Sequence, residues 1–426
     1  MKIKGRKLQY VAAAALALAG LAASPTVRAD EVTDWNGNML NAIMTARVGA
    51  APSARLTAMV QSAVYDAVNG VYKRYTPVHV PPQAPPGASA RAAAVQAAYG
   101  VLTKLFPMQQ ATLDAQRAAS LAALDDDGDG VSGQSVERGL AWGQHVADEI
   151  WTWRSTDGFS PAPPPFLGTN ETGVWRRTPP GFLAGATPQL AYTTPWVINS
   201  PADFLPPGPP ALGSAQYAAD YEEVQIMGHT NSAVRTADET LFCVFWAGNT
   251  PGFWNRAAVD VAERRGLSLL EKAHVLAAMN VAEADAGISC WHAKYTFVFW
   301  RPVTAIPLGD TDGNDATVRD ATWTPLITTP NHPEYPSGHS SLSGAAGAVL
   351  AAFFGDDTEF SLTSETTPGV TRYYTSFNAA VEEAGDARVF GGIHFRSACN
   401  DAKAMGEQIA GYILQNAFQR LHGNAP

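Results

Sequence analysis

The sequence predicts an all-α protein, on three observations. Apolar residues recur at three- and four-residue spacing through most of the chain, no segment sustains the period-two alternation of a half-buried strand, and alanine-rich amphipathic stretches are separated by proline-rich connectors. A 46% hydrophobic content is ample for a large core. Three cysteines, Cys243, Cys290 and Cys399, are too few for a disulfide framework and allow one bridge at most, so the fold must rest on packing.

In chain order, residues 1–29 read as a secretory signal: a cationic start, an apolar run from Val11 to Ala23, and Val27-Arg28-Ala29 before Asp30. Cleavage near Ala29 and export are expected. Cleavage removes Lys2, Lys4, Arg6, Lys7 and Arg28 and no acid, which moves the formal charge from −10 to −15 and argues against nucleic acid as a partner. No later stretch approaches the roughly 18 uninterrupted apolar residues that span a bilayer, so no membrane span is expected after signal removal. Residues 30–265 form an N-terminal helical part and 266–426 a C-terminal helical bundle carrying the chemistry, in one compact unit. A homodimer buried along helical faces is compatible with this pattern.

Residues 39–75 predict two helical segments broken at Pro52, with Leu56, Met59, Val60, Ala63, Val64, Ala67, Val68 and Val71 on one face. A connector from Pro77 to Gly87 leads to helices near 89–105, 108–124 and 134–154. Between the last two, Asp125-Asp126-Asp127-Gly128-Asp129-Gly130 matches the opening of a calcium loop. Val136 stands where the bidentate acid belongs, however, so calcium is the weaker reading against a solvated acidic turn. Residues 157–212 are a long proline-rich segment expected to wrap a surface or wall a site, anchored by Trp175, Phe182, Tyr192, Trp196 and Phe204. Helices resume at 214–228 and 235–248, and a long one runs from about 267 to 300.

The chemistry concentrates after that helix. Prolines 330, 333 and 336 resist helix, whereas Gly338 onward is small or apolar at helical spacing, so a helix capped by Ser337 begins there. Gly344 and Gly347 let a neighbouring helix approach. Unpaired N–H groups at such a start, with Gly338 leaving room, suit a tetrahedral oxyanion. Lys294 and Arg301, seven residues apart, would project from one helical face, and two cations among aromatics need an anion. Arg388 and His394 precede a final helix ending near 417.

Lys294 with six residues to Arg301-Pro302, then Pro336-Ser337-Gly338-His339, then Arg388 with five residues to His394 form a three-part pattern. In this the chain resembles vanadium-dependent haloperoxidases and type 2 phosphatidic acid phosphatases. The segments MVQSAVYDAVNGVY, GVWRRTPPGF and RTADETLFCVFWAGNTPGFWNR look like the bacterial exported haloperoxidase-like branch. The resemblance implies packed helical bundles and one vanadate per chain, its oxygens held by Lys294, Arg301, Ser337, the Gly338 amide and Arg388. It also implies that His394 bonds the metal and that His339 is the acid–base residue. Hydrogen peroxide and a halide would be the substrates, with an organic acceptor downstream. His332 sits where bromide-oxidising members carry histidine, and with Trp291 is a candidate for a halide pocket, although Trp291 also reads as core and His332 as a turn cap.

The phosphatase pattern wants an acid four residues after the second histidine; Ala398 stands there, and Asp401, on the same helical face as His394, is the expected substitute. The alternative function is a metal-free acid phosphatase with His394 as nucleophile. A zinc site built from His292, His332, His339 and His394 is the remaining option. A disulfide between Cys290 and Cys399 is left open.

Overall fold

The computed structural model describes residues 30–126 and 132–421. The expected signal, residues 1–29, and most of the acidic stretch at 125–130 lie outside the described residues. The N-terminal half contains α1 (Glu31–Thr45), α2 (Ala50–Tyr72), α3 (Ala90–Leu105), α4 (Gln110–Asp126) and α5 (Gly133–Ser155). After the proline-rich segment come α6 (Ala215–Met227), α7 (Ala237–Phe245) and α8 (Thr250–Arg264). The remainder is α9 (Leu269–Phe297), α10 (Pro302–Ala305), α11 (Gly338–Phe354), α12 (Phe377–Phe390) and α13 (Arg396–Asn416). The fold is all-α apart from an antiparallel hairpin, β1 (Phe360–Thr363) and β2 (Thr371–Tyr374), with Phe360 opposite Tyr374.

α9 is buried along almost its whole length, as its apolar surface on every side requires, and α2 and α11 pack against it. α11 and α13 approach closely enough that a Cβ on Gly344 would come within 2.6 Å of the Lys403 carbonyl, and one on Gly406 within 2.2 Å of the Ser341 carbonyl. Gly347 is pressed by Val381 in the same way. No helix among the described residues is long and apolar enough to cross a membrane.

Four expectations are corrected. Pro52 lies in the first turn of α2, where its missing N–H costs no hydrogen bond, and the break falls at 46–49, where Arg47 turns left-handed at φ 53°. The helix expected over 235–248 stops at Phe245, and a separate α8 starts after Asn249, whose side chain accepts from the Gly252 amide. The long helix stops at Phe297 because Val298 adopts φ 49°, so Lys294 and Arg301 do not share a helical face. The hairpin is missed because four-residue strands are too short to register as alternation.

The proline-rich segment is pinned by a buried carboxylate: Asp285 of α9 accepts from the amides of Trp196, Val197 and Ile198 at 2.6, 2.9 and 3.1 Å. Trp175 and Trp196 are buried anchors, but Phe182 and Tyr192 are exposed and anchor nothing. The segment walls the site, with the Ala186 carbonyl accepting from Trp291 Nε1 and Tyr295 Oη, and its amide donating to Asn331.

Candidate functional site

Lys294 ends α9 with a fully buried ammonium whose three donors go to the carbonyls of Pro333 (2.9 Å), Glu334 (2.9 Å) and Pro336. It therefore clasps the loop 333–336 and presents charge from behind. Burial holds its pKa down to about 8. Arg301, the extended residue before α10, reaches the same loop from the other side. Its Nε donates to the His332 carbonyl (2.9 Å), Nη2 to His332 Nδ1 (2.9 Å), and Nη1 to the Ile393 carbonyl (2.7 Å) and to His394 Nε2 (3.0 Å). Lys294 and Arg301 thus converge through the loop rather than along a helix.

His394 is buried in the turn between α12 and α13, and its Nδ1 lies 2.8 Å from Glu334 Oε1. A guanidinium only donates, so Nε2 is the acceptor and the proton sits on Nδ1. Burial, with Arg301 and Lys294 nearby, pushes the His394 pKa well below the ordinary histidine range. Glu334 also accepts from the Phe395 amide (2.9 Å), and burial raises its pKa to about 7 against the pull of Arg301. Asp401 does not orient His394; it accepts from the Tyr335 hydroxyl at 2.6 Å. Sequence reasoning missed Glu334. Its signal is a lone acid in a proline-punctuated loop between the cations Lys294 and Arg301 and the Ser337-Gly338-His339 turn.

Ser337 caps α11, its Oγ accepting from the Ser340 amide (3.4 Å) and hydroxyl (3.0 Å). Gly338 lies under the indole of Trp291, where a Cβ would come within 3.2 Å. His339 Nε2 is 3.4 Å from the Gly248 carbonyl, and burial with Arg388 nearby pushes its pKa well below the usual range. Arg388 is in the last turn of α12, not at a helix start; its Nη2 donates to the Cys243 carbonyl (3.3 Å), and its buried Nε has no partner among the described residues.

A cavity of about 620 Å³ brings Trp291, His332, Gly338, His339 and His394 together in its lining. Lys294, Arg301, Ser337 and Arg388 do not line it and are buried behind it. Trp291 and His332 pack with ring centroids 4.9 Å apart. Among the described residues, no carboxylate hydrogen-bonds any of the three buried cations, and Arg388 Nε is unspent. That uncompensated buried positive charge, with the Arg388 Nε–H unspent, fits an anion beside a neutral imidazole acceptor. It does not fit zinc: no group of three or more His, Cys, Asp or Glu among the described residues is placed to hold a metal ion. All three cysteines are free and buried, so Cys290 and Cys399 form no disulfide.

A family model described as the VCPO second helical-bundle domain matches residues 274–423, the span holding Lys294, Arg301, Glu334, Ser337, Gly338, His339, Arg388 and His394. A crystal structure titled as the first bacterial vanadium-dependent iodoperoxidase superposes with a TM-score of 0.81 at 26% identity, over 93% of this chain and 98% of that one. Over residues 274–423 and in overall fold, this chain is similar to the vanadium haloperoxidases. A vanadium chloroperoxidase from Curvularia inaequalis is 28% identical over 201 residues, 39% of this chain and 32% of the relative. The chain thus spans about a third of the fungal relative's length. An apo bacterial vanadium-dependent chloroperoxidase shares the fold, with a TM-score of 0.69 at 20% identity over 86% of this chain and 92% of that one. With haloperoxidases among the relatives, the phosphatase alternative is not favoured.

Proposed function

We propose that this chain is a vanadate-dependent haloperoxidase that oxidises bromide or iodide with hydrogen peroxide to hypohalous acid. The observation that carries the reading is the state of His394: a neutral imidazole with its proton fixed on Nδ1 by Glu334, its Nε2 lone pair directed at Arg301 in a cage of buried cations. Vanadate would be bonded through His394 Nε2, with Arg301 and Arg388 as forks on its oxygens. Ser337 and the Gly338 amide would add donors, and Lys294 would add charge. When bound, vanadate supplies a Lewis acid for peroxide that keeps its oxidation state.

His339 is the proton carrier in this reading. Its Nε2 faces a carbonyl, which can only accept, so Nδ1 is the free acceptor that takes a proton from peroxide and returns it to the oxygen leaving as water. Trp291 and His332 shape the halide's approach, His332 through its bond to Arg301. Export after cleavage near Ala29 belongs to the same proposal, on the signal-like N-terminus.

The test is oxidation of iodide to triiodide and bromination of a phenolic dye by the purified mature chain with peroxide, before and after vanadate, with vanadium content measured alongside. Vanadate-dependent oxidation with one vanadium per chain is expected. Bound vanadium without halide oxidation, or hydrolysis of nitrophenyl phosphate that vanadate inhibits, would sink the reading.

A further inference from the structure

Separated stretches close over the histidine-lined floor: the turn between α1 and α2, the proline-rich segment at Ala186 and Thr187, the connection from α7 to α8, and the loop at 330–332. The cavity they enclose, about 620 Å³, falls in the range of roughly 300–1,000 Å³ in which proteins hold small organic molecules. A halide and a peroxide need far less, since a water's share of liquid volume is about 30 Å³. The lining is apolar where the turn meets α11, with Met44, Val48, Pro52 and Leu342 joining the Trp291 indole.

One charge in this lining is unspent. Glu365 is engaged, its Oε1 accepting from the Asn249 amide at 2.6 Å and its Oε2 lying 3.7 Å from Arg256. The three histidines of the lining are held neutral by burial and by the cations behind them. Arg47 is exposed, and its guanidinium has no hydrogen bond or ion pair among the described residues. It follows the Ala46 cap of α1 at φ 53°, a left-handed position where glycine is the ordinary choice. The turn thus puts a long cationic side chain in the cavity lining with no protein partner for its charge.

We propose that this cavity binds the organic acceptor, an electron-rich aromatic acid of one or two rings. Its carboxylate pairs with Arg47, and its ring lies among Met44, Val48, Leu342 and Trp291, edge toward the histidine floor. The proposal rests on the haloperoxidase reading. Hypohalous acid formed at the floor meets the ring before it reaches solvent. A ring carbon bonds the halogen, the halogen–oxygen bond breaks, the carbon's proton is lost, and the departing hydroxide takes up a proton, so that Ar–H and HOX become Ar–X and water.

Calorimetric titration of the purified mature chain with 6-hydroxy-2-naphthoate and with neutral 2-naphthol tests it without turnover. Arg47→Gly is the informative variant, because glycine suits φ 53° and the fold is retained. Naphthoate binding is expected to weaken by about tenfold or more in that variant, and 2-naphthol binding by less than about twofold. No naphthoate binding, or equal affinity in the wild type and R47G, overturns the proposal. Triiodide formation, which needs no acceptor, is measured in parallel. Triiodide without naphthoate binding refutes this pocket alone, whereas Arg47-dependent binding without triiodide supports the binding site and removes the haloperoxidase reading beneath it.

Discussion

Glu334 Oε1 lies 2.8 Å from Nδ1 of His394, and both side chains are closed to solvent. The pair fixes which ring nitrogen carries the proton, and hence which one can bond a metal. Glu334→Ala leaves Nδ1–H unpaired and lets the ring rotate or change tautomer. Vanadate affinity, measured by equilibrium dialysis, is expected to fall roughly 10–100-fold. Glu334→Gln keeps an acceptor for Nδ1–H and should lose much less; equal loss in both variants would show that the carboxylate's charge, not its position, is what matters.

Arg301 joins the two halves of the site, since one guanidinium touches the His332 carbonyl and ring, the Ile393 carbonyl and His394. Arg301→Lys keeps the charge but cannot span these partners, because an ammonium is a compact point donor. Vanadate affinity is expected to drop by more than about tenfold, with unfolding at lower denaturant, at a loss of about 3–5 kcal/mol if a buried charge is left without its partners. A lysine variant that binds vanadate as tightly as the wild type would remove Arg301 from the oxyanion cage.

How far the site could be read in the sequence follows from which interactions are local. Ser337 as cap, Gly338 at the helix start and the small residues of α11 are legible because capping and helical spacing operate within a few residues. The seven-residue spacing of Lys294 and Arg301 implies a shared helical face that the fold lacks: the left-handed turn at Val298 breaks the helix between them, and a β-branched residue gives no warning of it. No periodicity links Glu334 to His394 across 60 residues, and Asp401 stands out in its place because a same-face helical spacing is visible in sequence whereas a loop's return path is not. No sequence pattern singles out Arg47, because its place depends on the exact end of α1 and on a cavity formed by distant segments.

In the proposed site, Lys294 makes oxyanion binding pH-dependent. Its pKa of about 8 in the fold lies below the roughly 10.4 of an unfolded chain, so in the folded protein the ammonium is charged below about pH 8 and neutral above it. For stability the sign is the same as for any depressed group: its contribution is present above pH 10.4 and is lost as pH falls toward 8, because the unfolded chain takes the proton first. A bound anion favours the ammonium and opposes that loss. Vanadate or phosphate affinity should therefore fall by up to about tenfold per pH unit above 8 in the wild type. Lys294→Met should flatten that limb, leaving the titration of the anion itself. A wild-type limb identical to that of the variant would remove the lysine's titration from the binding step.

Glu283 lies in the middle of α9, wholly buried, with neither carboxyl oxygen hydrogen-bonded among the described residues. Burial pushes its pKa well above the usual carboxylate value, so the folded protein holds a proton there that the unfolded chain gives up near pH 4 to 5. A raised acid stabilises least at high pH: its contribution is full below the unfolded pKa and declines as pH rises toward the folded one. Glu283 is thus a stability cost that grows from pH 5 to pH 8. Glu283→Met, which is apolar and similar in reach, should stabilise the chain by about 1–3 kcal/mol at pH 8 and by less at pH 5, read from urea melts at the two pH values. Destabilisation of the same size at both pH values would mean instead that the carboxyl makes a bridging contact, through ordered water, that the core depends on.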